Sequence, residues 1–175
     1  PHSILEFSKE GVVVFQSLSK RSAMTGYRIG WTVGDENIIS AFKKLKTNID
    51  SGTPTFIQDA AISALRDEKH VEKMRNEYKQ KRDIMVDALL SAGLEDCTPD
   101  ATLYIWQKTP KNTNSVQFAK KLLEKDIAIV TTPGEWISTK FNGLNPGDNY
   151  VRFALVPTLK ECRVAAERIM KIKFN

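Results

Sequence analysis

The chain has 175 residues, 41% of them hydrophobic and 27% charged, with a formal net charge of +5. That length suffices for one domain or one and a half, in the composition of an ordinary soluble protein. The positive excess is spread along the chain, and its densest patches, Lys43-Lys44-Leu45-Lys46 and Lys79-Gln80-Lys81-Arg82, fall on helix-like segments as solvated faces. With no basic stripe on a recognised module, no nucleic-acid partner is expected. Cys97 and Cys162 lack paired spacing and only His2 and His70 supply imidazoles, so neither a disulfide framework nor a metal site is expected. No apolar run reaches membrane-spanning length and no signal peptide is visible, which makes the cytoplasm the default and a membrane no partner.

In chain order, Gly11 precedes Val12-Val13-Val14-Phe15-Gln16, a β-branched run typical of a strand buried on both faces. Arg28 to Val33 reads as its neighbour. Asp35 then looks like an N-cap, because Ile38, Ile39, Phe42, Leu45 and Ile49 recur behind it at helical spacing. Ser51-Gly52-Thr53-Pro54 breaks that helix and Thr55 to Arg66 resumes one. A long amphipathic helix is expected from about Glu68 to Ala92, with Val71, Met74, Tyr78, Met85 and Leu89 as its apolar seam and Gly93 as its stop.

Past Gly93 the composition shifts. Leu103 to Gln107 reads as a strand, Val116 to Lys125 as a helix, and Ile127-Ala128-Ile129-Val130 as another strand closed by Thr131-Thr132-Pro133-Gly134. A Gly- and Asn-rich loop leads to the strand Tyr150 to Val156. Thr158-Leu159-Lys160-Glu161 then forms a capping box that opens the last helix. The fold class is α/β, with residues 1–92 closing one α/β layer through a long connecting helix and residues 93–175 forming a compact α+β domain.

The chemistry concentrates between the first two strands, in Ser17-Leu18-Ser19-Lys20-Arg21-Ser22-Ala23-Met24-Thr25-Gly26-Tyr27-Arg28-Ile29-Gly30. A lysine amine can condense with an aldehyde. Hydroxyls and an arginine fork can hold a phosphate. A lone lysine is usually a surface charge; the joint order of strand, hydroxyls, lysine, glycine, arginine and strand suits a phosphorylated aldehyde. Gly26 is expected to take a positive φ that a larger residue would resist.

This loop resembles the pyridoxal-phosphate lysine segment of the class I/II (fold-type I) aminotransferases, with Ser-x-Ser-Lys followed by Gly-x-Arg-x-Gly. The resemblance implies Lys20 as the catalytic, cofactor-holding amine, with Ser17 and Arg28 on the cofactor phosphate and Ser19 as a weaker candidate. A second match lies in Tyr150-Val151-Arg152-Phe153-Ala154-Leu155, where Arg152 resembles the arginine that clamps the substrate α-carboxylate. The order of elements matches as well, as the C-terminal half or so of a family member: the end of the large cofactor-binding domain, the connecting helix and the small C-terminal domain. Pro1 is no initiator methionine, and the family's glycine-rich phosphate loop, ring-stacking aromatic and Asn/Asp/Tyr set are missing. The chain alone is therefore expected to bind pyridoxal phosphate poorly and to catalyse little.

The same resemblance implies ping-pong transamination between an amino acid and a 2-oxo acid, in a cytoplasmic homodimer. Residues 19–31 and 132–138 look like enzymes of the lysine and diaminopimelate branch, LL-diaminopimelate with 2-oxoglutarate first and N-succinyl-diaminopimelate second. Trp136 and Tyr104 stay open between pocket lining and core. Rival expectations are another amino-acid aminotransferase, a β-lyase or decarboxylating synthase on the same fold, a pyridoxal-binding regulatory domain, and a catalytically silent interaction domain.

Overall fold

A computed structural model describes residues 2–174; Pro1, singled out above, lies outside them. The chain divides into two units at Lys73/Met74. In the first, β1 (Val13–Ser17) pairs antiparallel with β2 (Gly30–Gly34), from Val13 opposite Gly34 to Ser17 opposite Gly30. Between them lie α1 (Leu18–Arg21) and a 3-10 turn over Thr25–Tyr27. Asp35 caps α2 (Glu36–Ile49), its carboxylate accepting from the amides of Asn37 and Ile38, as its place before the apolar repeat predicts. After the break at 51–54 comes α3 (Thr55–Arg66).

The double burial expected of β1 is not found. Phe15 is 71% exposed, and no residue of β1 or β2 is fully buried. A two-stranded ribbon has too few layers to cover both of its faces. Gly26 also departs from expectation, since the left-handed conformations fall on Ala23 (φ 53°) and Arg28 (φ 52°). Glycine is required at Gly30 instead, where a Cβ would come within 2.4 Å of the Gln16 carbonyl oxygen.

Helix α4 (Lys69–Ser91) runs across the divide. It ends at Gly93, whose φ of +92° lets the Leu94 amide turn back onto the Leu89 carbonyl. The second unit carries a three-stranded antiparallel sheet in the order β3 (Tyr104–Lys108), β5 (Tyr150–Ala154), β4 (Thr132–Pro133). One sheet face buries Ile105, Val151 and Phe153 with Met85 and Leu89 of α4. Phe118 and Leu122 of α5 (Ser115–Leu122) join this core, as do Cys162 and Ile169 of α6 (Leu159–Met170). Phe118 meets Phe174 edge to face at 5.1 Å, and its burial contributes roughly 2–3 kcal/mol. Tyr104, Trp106, Tyr150 and Arg152 alternate onto the opposite face.

Two further expectations are corrected in this unit. Ile127–Val130 is not a strand: the amides of Ile127 and Ala128 are spent on the Glu124 carbonyl, and that of Ile129 on Leu122. Ala128, left-handed at φ 50°, bends the run. Lys81 is not part of a solvated face. It is 4% exposed, because position 81 falls on the seam between Tyr78 and Met85, and its ammonium is satisfied by Glu77 at 2.7 Å.

Candidate active site

In the first unit the hairpin closes on the lysine loop. Ser17 ends β1 and caps α1, its hydroxyl accepting from the Ser19 amide at 3.1 Å and donating weakly to the Ile29 carbonyl at 3.4 Å. Leu18 is fully buried and anchors the turn: its carbonyl accepts from the amides of Ser22 and Met24, and its own amide reaches Ile29 across the hairpin. With Leu18 pinned, Lys20 projects from the open side of α1. Its side chain is exposed, and no residue among those described accepts a hydrogen bond from it.

Arg28 is placed by a device that the motif spacing does not reveal. Thr25 links the two halves of the loop: its hydroxyl donates to the Ser19 carbonyl at 3.0 Å and its carbonyl accepts from Arg28 Nη1 at 2.9 Å. This leaves Nε and Nη2 of Arg28 uncommitted. The signal for Thr25 was present only as a hydroxyl in the middle of the motif. Arg21, by contrast, is tied down structurally, through the Glu68 carboxylate and the Ala64 carbonyl. The first unit thus brings Ser17, Ser19, Lys20 and Arg28 together on one loop.

Arg152 belongs to the second unit. Its guanidinium lies over the ring of Tyr104, with Cζ 4.7 Å from the centroid, and Nη2 donates a long bond of 3.4 Å to the Thr132 hydroxyl. Arg152 Nε is shielded from water without a hydrogen-bond partner, and Arg152 forms no ion pair among the described residues. A buried donor left open is costly, and an anionic ligand at this guanidinium would repay that cost. Tyr104 is therefore a companion of Arg152 on the outer face rather than a core ring, and Trp136, 69% exposed, is no core residue either.

The donor set of the first loop fits a phosphorylated aldehyde, offering a free amine, an uncommitted guanidinium edge and the unengaged hydroxyl of Ser19. Among the described residues no cluster of three or more His, Cys, Asp or Glu could hold a metal, and no helix is long and apolar enough to cross a membrane.

Comparison with known proteins agrees with this chemistry. The family model for aminotransferase class I and II matches residues 2–169. The chain is 40% identical over 178 residues to the LL-diaminopimelate aminotransferase of Aquifex aeolicus, covering 99% of this chain and 44% of the relative. It is 41% identical over 181 residues to that of Halothermothrix orenii, covering 100% and 44%. A crystal structure of an aminotransferase from Neisseria meningitidis superposes with a TM-score of 0.87 at 33% identity, over 96% of this chain and 42% of that one. The chain thus spans under half the length of the curated relatives that it matches, and its mixed helix and sheet order is that of a region of fold-type I transferases, which use pyridoxal phosphate. Lysine loop, arginine strand and element order converge with these matches: the chain belongs to the class I and II aminotransferase family.

Proposed function

We propose that the protein carrying this chain is a pyridoxal-phosphate-dependent aminotransferase acting on LL-diaminopimelate and 2-oxoglutarate in lysine biosynthesis. The observation that carries this reading is the loop that holds both the unpartnered Lys20 amine and the open Arg28 guanidinium, in a chain 40% identical to a named LL-diaminopimelate aminotransferase. In this reading Lys20 holds the cofactor aldehyde, while Arg28 and the hydroxyls of Ser17 and Ser19 take its phosphate. The cofactor supplies an electron sink that makes the substrate Cα proton removable. The Lys20 amine would be the general base that takes the substrate Cα proton and the acid that gives it back. Arg152 receives the substrate α-carboxylate.

In the whole protein we assign residues 1–92 to the large cofactor domain with its connecting helix and 93–175 to the small domain. We also expect a cytoplasmic homodimer, which sedimentation and cell fractionation check.

The test uses the full gene product. Glutamate formation from LL-diaminopimelate and 2-oxoglutarate is expected, with N-succinyl-diaminopimelate and other amino acids as competing donors. Borohydride reduction in the presence of pyridoxal phosphate should leave a pyridoxyl adduct on Lys20, and Lys20→Ala should lose the visible cofactor band. A band that survives Lys20→Ala overturns the assignment of the amine; activity only with other donors overturns the substrate.

A further inference from the structure

Arg152 stands at the middle of its sheet, with Trp106 directly opposite on β3 and Thr132 directly opposite on β4. Trp106 turns away from it and stacks on Tyr150, at 5.7 Å between centroids and 12° between planes. The ring that meets the guanidinium is that of Tyr104, paired with Ala154 and therefore the diagonal neighbour of Arg152 on the same face. A half-buried arginine is ordinarily held by a carboxylate, and such a partner would compete with an incoming anion. Here the holder is a neutral π face, which is attracted to the cation and fixes its plane while leaving its whole charge available. Thr132 contributes a weak bond that a stronger acceptor can displace.

Resting on the reading of Arg152 as the carboxylate holder, we propose that Tyr104 is a positioning residue for substrate binding. Its ring face holds the Arg152 guanidinium flat and partly stripped of water, so that the donors meet a planar carboxylate without reorganisation. Both substrates of a transamination carry an α-carboxylate, so the effect falls on both half-reactions alike. Its signature is in KM, because the chemistry at Cα belongs to other groups.

The experiment is steady-state kinetics of the full enzyme with LL-diaminopimelate, or whichever donor proves active, and 2-oxoglutarate. Tyr104→Leu should raise KM for donor and acceptor about tenfold (~1.4 kcal/mol) with kcat within about twofold. Tyr104→Phe, which keeps the ring and loses only the hydroxyl, should restore KM to within about twofold of the parent. Trifluorophenylalanine at 104 preserves size and fold and cancels the ring quadrupole; it should raise KM several-fold over phenylalanine. In an Arg152→Lys background, where the planar fork is already gone, Tyr104→Leu should change KM less than twofold. Equal KM for phenylalanine and its trifluoro analogue overturns the proposal, as does a Tyr104→Phe defect as large as that of Tyr104→Leu, or full additivity with Arg152→Lys. If Arg152→Ala raises KM while the Tyr104 series stays flat, only this inference falls. If Arg152→Ala leaves KM unchanged, or no donor is transaminated, the underlying reading falls with it.

Discussion

Two glycines flank Arg28, and only one of them is structurally demanded. At Gly30 an added Cβ would sit 2.4 Å from the Gln16 carbonyl oxygen, a backbone atom that cannot swing aside. Gly30→Ala should therefore spread β1 from β2 at the Ser17 pair and destabilise the hairpin by about 2–3 kcal/mol, read as a lower urea midpoint. At Gly26 a Cβ would meet nothing within 4 Å and φ is not positive, so Gly26→Ala should stay within about 0.5 kcal/mol. The sequence placed the left-handed turn on Gly26 because glycine accepts it at least cost. The backbone puts it on Ala23 and on Arg28, whose side chain is tied back to Thr25. The site's residue types were thus readable from the motif, but the turn geometry that aims them was not. It depends on hydrogen bonds across the loop that no spacing rule encodes.

Elements were readable where their signals are local. Thr158 and Glu161 cap α6 reciprocally, the Glu161 carboxylate accepting from the Thr158 amide at 2.7 Å. Thr158→Ala should cost about 1 kcal/mol, measurable by chemical denaturation, and Thr158→Ser should recover most of it. Where identity depends on partners, composition misleads. Ile127–Val130 has the side chains of a strand, but the end of α5 takes its amides first. Lys81 has the charge of a surface residue but the position of a seam residue, and its long stem reaches from the core to Glu77 and to the face of Tyr78, 5.0 Å away. Since Glu77 is half exposed and can rehydrate, Lys81→Met should change stability by no more than about 1 kcal/mol, whereas Lys81→Asp should lose roughly 3 kcal/mol. Equal losses for the two variants would mean that the ion pair, and not the buried stem, holds α4 in place.

At the scale of the whole molecule, exposed carboxylates set the acid limit. The carboxyl of Asp35 is held below its ordinary value by the Gly11 and Ile38 amides, that of Asp50 by Lys46, and that of Asp96 by Thr98. Each stabilises the fold above its unfolded pKa and loses that contribution as pH falls through the lower folded value, so the urea midpoint should drop below about pH 4. Lys108 runs the other way: Glu95 raises its pKa, and its contribution, complete below 10.5, is lost only at still higher pH. Burial, however, is distributed unevenly. Among the described residues up to Lys73 the buried apolar side chains are Leu18, Ala61 and Val71, while Phe15, Ile49 and Phe56 are each more than 70% exposed. The second unit has a continuous core from Met85 to Phe174. Since local opening free energy follows buried apolar contact, amides of β3 and β5 in the isolated chain should exchange at least about a hundredfold more slowly than those of β1 and β2. Adding pyridoxal phosphate at millimolar concentration should slow β1 and β2 if the lysine loop engages it, by the linkage between binding and stability. Uniform protection across the chain would show instead that the hairpin carries stability that its exposed side chains do not account for.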